Sequence, residues 1–404
     1  MKILVLNSGS SSQKARFYDL KPPPPDDPPE PQWDGKLEWR DDRATFEIRT
    51  SSGAISKEGA KKSDRSSATA QLLGELASGK TRVLASLSEI DVVGHRIVNG
   101  GRNCNQPTVI TGEVKAAIEK MAVFAPLHNR LELEGIALIE KLCGAVPQIA
   151  VFDTGFHHKL PEAASIYPGP YAWAQKGIRK FGFHGINHQY CAQRAVRLLN
   201  RNLADLKLIT CHLGNGCSLA AIRGGQSIDT TMGFTPLDGL MMGTRSGSVD
   251  PGILTYLMRE ENQDGQALDE MLNSKSGLLG ISGISADMRE ITTAMHSGNQ
   301  RAQLAFDMFI HRLRAGMGSM LAALGGADAI VFTGGIGENS SEVRAAASSH
   351  FTFLGLALDS AKNTAKPSDQ DIASAESKVR VLVVRAQEDW AIARECWKLL
   401  TREQ

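Results

Sequence analysis

Polar and charged side chains recur beside tight glycine turns in this chain. They stand in "GHRIVNGG" (94–101), "FDTGFH" (152–157), "FGFHGINH" (181–188), "HLGNGCS" (212–218), "MMGTRSGSVDP" (241–251), "SADMRE" (285–290) and "TGGIGEN" (333–339). A glycine lets a ligand approach the backbone, and a nearby arginine offers a planar, permanently charged fork to carboxylate or phosphate oxygens. Arg96 and Arg245 have that setting. Asp153 follows the apolar run "IAVF" and so falls at an expected strand end, where Asp also commonly forms turns. His184 and His188 are one helical turn apart, but no Glu or Cys accompanies them at a usual ligand spacing, which disfavours zinc.

These groups need elements to hold them. The opening stretch "ILVLNSGSSSQKARFYDL" (3–20) reads as strand, hydroxyl-rich loop, strand. It is not a P-loop: it lacks the GxxxxGK[ST] spacing, and its lysine does not open a helix. A hairpin can still cradle phosphate through backbone N–H groups and hydroxyls, with Lys14 adding one positive charge. The same logic returns at 206–226, where an apolar strand meets the Gly214–Asn215–Gly216 turn and a second apolar strand follows, so the two hairpins read as an internal duplication. A third glycine loop, within 329–344, follows a strand but opens a helix, with Ser340 or Ser341 as its cap.

The acidic proline run at 21–32 fits a stiff exposed loop. Residues 113–122, 131–143 and 300–324 have helical apolar spacing. In the last of these Leu304, Phe306, Met308, Phe309, Leu313, Met317 and Leu321 mark an expected buried face.

A chain of 404 residues, 42% apolar, can bury the cores of two domains or of two lobes of one fold. Lys plus Arg (45) balance Asp plus Glu (44), so no global field draws the protein to nucleic acid or an anionic membrane. The run "ILVL" is too short for a signal-peptide core, and no apolar stretch has the length of a membrane span, which makes the cytoplasm the expected compartment. Six scattered cysteines without CxxC spacing read as small buried apolar residues, not as a disulfide framework or a zinc site.

The motifs, taken together and in order, closely resemble the acetate kinase family of the sugar kinase, heat-shock and actin superfamily. The block "HLGNGCSLAAI" followed by "DTTMGFTPLDGLMMGTRSG" is its most specific part, and the resemblance runs from Asn7 to "EDWAIAR", weakest in 21–80. It implies an α/β, two-lobed, duplicated ribonuclease H-like (actin-like ATPase) fold with an interlobe cleft. Residues 1–153 and 389–404 would form the N-terminal lobe, and 154–388 the C-terminal nucleotide-binding lobe. It also implies a homodimer, and reversible Mg²⁺-dependent phosphoryl transfer (Mn²⁺ as a substitute) from ATP to acetate, giving acetyl phosphate and ADP. Propionate or another short-chain carboxylate is the alternative substrate.

By the same resemblance Asp153, His184, Arg245 and Arg96 are catalytic, with Arg96 also binding the acid. Val98, Leu127, Phe183 and Pro236 form the acetyl pocket. Ser10, Ser12 and Lys14 stand at the ATP phosphates, as do His212, Asn215 and Gly216. Asp287, Met288 and Arg289 take the adenosine end, Gly335, Ile336 and Asn339 form the adenine loop, and Asn7 and Glu388 are linked to magnesium. Asn99, Arg130, Ile186, Asn187, Ser248 and Gln387 depart from the family's habit. A non-enzymatic nucleotide switch of the actin kind is the rival class, and it has no need of two arginines at a small-acid pocket.

Overall fold

The computed structural model describes residues 1–8, 12–40, 43–60, 64–102, 104–122 and 126–402. The chain divides into two compact units, Met1–Gly155 with Gln387–Gln404, and Phe156–Ala386. These boundaries lie two residues from those suggested by the sequence, and they put Glu388 in the first unit. The local reason is hydrogen bonding: Asp153 N–H is held by Ile97 O at 2.8 Å, and Ala391 N–H by Gln387 O at 2.9 Å, which ties Gln387 to the first turn of the helix Glu388–Arg402.

Among its described residues the first unit carries eight strands: β1 (Lys2–Ser8), β2 (Ser12–Asp19), β3 (Trp33–Arg40), β4 (Arg43–Thr50), β5 (Ile55–Ala60), β6 (Val92–Ile97), β7 (Thr108–Val109) and β8 (Gln148–Phe152). They lie in the order β5-β4-β3-β2-β1-β6-β8-β7, with β1, β6 and β8 mutually parallel. In β1 every residue from Ile3 to Leu6 is buried, which requires cover on both faces. Alternation divides the cover. Leu4 and Leu6 join a core with Leu138 and Ile139 of the helix Pro126–Cys143, whereas Val5 shares the space over Gly94 with Ile392 and Cys396 of the helix Glu388–Arg402. Strands β3, β4 and β5, within the stretch where the family resemblance is weakest, extend the sheet antiparallel, with Trp33, Leu37, Phe46 and Ile48 packing on Leu72, Leu73 and Leu76. The proline run joins β2 to β3 as a largely exposed loop.

The second unit repeats the plan with β9 (Lys207–Leu213), β10 (Cys217–Arg223), β11 (Gln226–Thr230), β12 (Ala329–Thr333), β13 (Gln370–Asp371) and β14 (Arg380–Val383), ordered β11-β10-β9-β12-β14-β13. The β9–β10 hairpin is antiparallel and β9, β12 and β14 are parallel, as are the β1–β2 hairpin and the set β1, β6, β8. The duplication read from the two hairpins is therefore a duplication of sheets. The helices are exchanged between the copies: Gly185–Leu199, which follows β8 in sequence, packs on β9 and β12, whereas Glu388–Arg402, which follows β14, packs on β1 and β6.

Helices form at Gly112–Met121, Pro126–Cys143 and Gln300–Leu324, the second starting earlier than its apolar spacing suggested. In Gln300–Leu324 the expected face is corrected. Leu304 is 52% exposed, and the buried stripe runs through Ala302, Ala305, Phe306, Phe309, Ile310, Leu313, Met317, Met320 and Leu324, because small alanines, not the nearest leucine, let the helix approach the sheet. Ser340 caps Ser341–Ser348, accepting from Val343 N–H at 3.2 Å, while Gly334–Asn339 begins directly after β12 without a side-chain cap. All six cysteines are thiols. Among the described residues no helix is long and apolar enough to cross a membrane.

Gly94 allows the C-terminal helix its close approach: a Cβ there would stand 2.6 Å from Cys396 Sγ and 2.7 Å from Ile392 Cγ2. Gly94→Ala is expected to lower stability by about 1–3 kcal/mol, the usual cost of overpacking, read as a lower urea midpoint at unchanged slope. An unchanged midpoint would mean that the helix withdraws freely.

Candidate active site

Because β1, β6 and β8 run parallel, their carboxyl ends collect at one edge of the first unit's sheet, where open α/β sheets carry their ligands. Asn7 comes from β1, Arg96 from β6, and Asp153 directly follows β8. Glu388 joins them from the start of its helix. Arg96 Nη2 donates to Asp153 Oδ2 at 2.5 Å, and its Nε lies 3.8 Å from Glu388 Oε2. Asn7 Nδ2 donates to Glu388 Oε2 at 3.4 Å and to Asp389 Oδ1 at 3.2 Å. Burial works against the Arg96 charge, yet the carboxylates of Asp153 and Glu388 outweigh it and raise the guanidinium's pKa.

Glu132 is absent from the reading of the sequence above, and it holds this edge from behind. Both its carboxylate oxygens lie 3.1 Å from the Val98 N–H, so it fixes the backbone two residues beyond Arg96. It sits on the buried face of Pro126–Cys143 with Ile136 and Ile139, and a lone acid at those helical intervals in an apolar stripe was the signal for it. Val98 itself is buried. Ser10 and the Leu127 side chain lie outside the described residues, Ser12 is half-buried, and Lys14 is exposed opposite Asn7 in the β1–β2 ladder.

In the second unit His184 caps Gly185–Leu199 in the left-handed region, φ 56°, which a non-glycine residue occupies only when its surroundings impose it. Its ring stacks on His212 with centroids 4.1 Å apart, and its Nδ1 lies 2.8 Å from Ser218 Oγ. His212 Nδ1 accepts from Asn187 Nδ2 at 2.8 Å. A Cβ at Gly216 would meet His184 Nε2 at 3.4 Å and Arg245 Nη1 at 3.6 Å, so glycine opens the space onto which imidazole and guanidinium both face. Arg245 Nη1 also donates to Pro236 O at 3.3 Å, and Phe183, next to His184, is buried.

A cavity of about 980 Å³ in this unit gathers Asn215, Asp287, Met288, Arg289, Gly335, Ile336 and Asn339, while His212 and Gly216 lie outside its lining. Its size suits a nucleotide-scale ligand. Asp287 caps Met288–His296 and pairs with Arg289, whose hydrogen bond holds the Asp287 carboxyl below its ordinary pKa. Met288 is a buried wall of the cavity.

Two supports of the glycine loop were not singled out from the sequence. Glu338 Oε1 accepts from Gly334 N–H at 3.0 Å and Ala386 N–H at 2.9 Å, and buried Arg344 donates to Gly337 O at 2.9 Å and Glu338 O at 2.8 Å. An acid four residues into a glycine loop was the only sequence sign of the first.

A model of the Acetokinase family matches residues 2–394. The chain is 56% identical over 409 residues to a protein named acetate kinase from a Nostoc species, covering 100% of both. In fold it is similar to the crystal structure of Porphyromonas gingivalis acetate kinase, with a TM-score of 0.89 at 39% identity over 99% of each chain. The structure of a propionate kinase from Francisella tularensis subsp. tularensis gives 0.88 at 34% identity over 98% of each.

Burial pushes the Glu132 carboxyl up to about 8, against the pull of Arg96 and the Val98 N–H and with a smaller push from Asp153. An unfolded glutamate titrates near ~4.3, so between these limits the folded chain keeps a proton that the unfolded chain loses, and stability falls as pH rises by at most roughly 1.4 kcal/mol per unit. Glu132→Gln removes this slope. The stability of that variant relative to the parent, from urea unfolding, is expected to increase from about pH 5 to about pH 8; a pH-independent difference would count against a buried, proton-holding Glu132.

Proposed function

The chain belongs to the acetokinase family, and we infer that its reaction is reversible transfer of the γ-phosphoryl group of ATP to acetate, giving acetyl phosphate and ADP. The observation that carries this reading is the placement of its two glycine-flanked arginines, Arg96 against Asp153 and Glu388, and Arg245 beside His184 over Gly216. Acetate and the terminal phosphate are both anions, and fixed guanidiniums offset their repulsion while fitting the oxygens of each. Acetate is ionised at neutral pH and needs no general base. Catalysis then rests on in-line positioning and on stabilising the equatorial oxygens. Arg245 and His184 have the polarity for those oxygens. Asp153, engaged with Arg96, acts by orienting the guanidinium. The 980 Å³ cavity takes the nucleotide, with Gly335, Ile336 and Asn339 at adenine and Asp287, Met288 and Arg289 at the adenosine end. Val98, Leu127, Phe183 and Pro236 are the residues proposed for selection of acid size, and Ser10, Ser12 and Lys14 those proposed for phosphate.

The donor chemistry of the first unit fits magnesium. Asp153 and Glu388 outweigh the single charge of Arg96 and, with the Asn7 amide, present hard oxygens, the ligand type Mg²⁺ prefers. Mg²⁺ keeps several of its waters, so a sparse set of protein ligands suffices. When bound there, the ion would neutralise phosphate charge.

A homodimer is supported by the helix Pro251–Glu260, which buries none of its residues and leaves Ile253, Tyr256 and Met258 about half exposed. The occupant proposed for this face is a second copy of the chain. Ile253→Asp with Tyr256→Asp is expected to turn a dimer into a monomer in sedimentation equilibrium; a dimer that persists would place the interface elsewhere.

Trapping acetyl phosphate as its hydroxamate from ATP, Mg²⁺ and acetate tests the activity. Arg96→Ala and Arg245→Ala are each expected to lower kcat/KM by about 10²- to 10³-fold, the scale of removing one donor to transition-state charge. Full activity in both would remove the two arginines from the reaction.

A further inference from the structure

Two histidine rings, one helical turn apart, converge on a single hydroxyl. Ser218 Oγ on β10 lies 2.8 Å from His184 Nδ1 and 2.8 Å from His188 Nε2. A hydroxyl has one proton and two lone pairs, so it can donate to only one of these rings. The choice is not local to Ser218. On its far side His188 Nδ1 meets Thr210 Oγ1 of β9 at 2.7 Å, and Thr210, His188 and Ser218 are all fully buried, so no water exchange at the surface scrambles their protons. Burial, with His157 and His212 nearby, pulls the His188 pKa well below its ordinary value, which leaves that ring neutral with one N–H.

Thr210 breaks the tie. Among the described residues the other acceptor in its reach is Ala220 O at 3.5 Å, far longer than the 2.7 Å to His188 Nδ1, so its proton belongs on the imidazole. His188 then carries its hydrogen on Nε2 and gives it to Ser218, whose own proton is left for His184 Nδ1. We propose that the chain Thr210, His188, Ser218 holds His184 as the neutral tautomer protonated on Nε2, which makes Ser218 and Thr210 positioning residues that act through His184. Nε2 is the atom that faces the Gly216 space alongside Arg245. An N–H there can donate to an anionic oxygen without placing a second full charge beside the guanidinium or against the stacked His212 ring. The opposite polarity would present a lone pair to that oxygen, or require an imidazolium.

The catalytic consequence rests on the phosphoryl-transfer reading above; the tautomer does not. Full-length protein labelled with [¹⁵N]histidine, studied by two-bond ¹H–¹⁵N correlation at neutral pH with His184→Gln for assignment, is expected to show His184 protonated on Nε2 and bare on Nδ1. In Ser218→Ala the His184 signals should move toward a mixture of tautomers and kcat should fall about tenfold, the scale of one hydrogen bond, with both KM values within about twofold. Ser218→Thr, which keeps the hydroxyl, should retain the parent tautomer and most of kcat. A proton on His184 Nδ1 in the parent protein overturns the proposal, and that spectrum decides even if Ser218→Ala fails to fold. So does Ser218→Ala with the parent tautomer and rate. An Nε2-protonated His184 in a protein that forms no acetyl phosphate would uphold the relay and sink the functional reading instead.

Discussion

A guanidinium buried at the end of a parallel strand needs compensating counter-charge or hydrogen bonds, since an isolated buried ion costs several kcal/mol. The first unit is arranged to supply that charge to Arg96 from two elements, Asp153 past β8 and Glu388 at the start of the C-terminal helix, while Glu132, which keeps its proton, holds the backbone beyond it from within Pro126–Cys143. This requirement fixes where the elements must end. It also explains why the C-terminal segment returns to the first sheet, for without it Arg96 would lose one of its carboxylates and Asn7 both of its carboxylate acceptors. Asp389 continues the pattern one residue on, pairing with Arg16, which pairs in turn with Asp34.

Beneath His184 the second unit buries its polar groups without charge. His157, pulled down to about 4 by burial, and His188, pulled well below the usual histidine range, are both neutral, and their nitrogens are satisfied by Ser227, Thr210 and Ser218 hydroxyls and the Phe183 carbonyl. A satisfied neutral network in a low-dielectric interior is rigid and directional. It holds His184 in a left-handed conformation that costs an L-residue about 1–2 kcal/mol. The duplicated sheet is thus used twice with different electrostatics. One copy balances ions at strand ends, and the other orders hydrogen bonds beneath a pair of rings.

Glycine is the common device at the second unit's open surface. At Gly216 a side chain would fill the space that His184 and Arg245 face, and at Gly334, with φ +78°, a Cβ would stand 2.8 Å from Leu213 O. The glycine loop of 334–339 is not thereby slack: Glu338 and Arg344 tie its amides and carbonyls to neighbouring segments.

The sequence by itself determined the hairpins, the repeat and the residues of chemical interest, because strand alternation, glycine turns and arginines beside them are local patterns. Val5 and Leu6, or Asn7 and Lys14, need only the pleat and the turn to be placed. Glu132, Ser218 and Glu338 escaped that reading. Their partners are 34, 34 and 48 residues away along the chain, and nothing within a turn of any of them reveals a Val98 amide, a His184 ring or an Ala386 amide in need of an acceptor or donor. The same applies to Leu304, whose face depends on how closely alanines let a helix settle on its sheet. Which polar groups are buried together, and so which proton sits on which nitrogen or carboxylate, was decided only by the tertiary structure, since desolvation belongs to the packed surroundings and not to the residue.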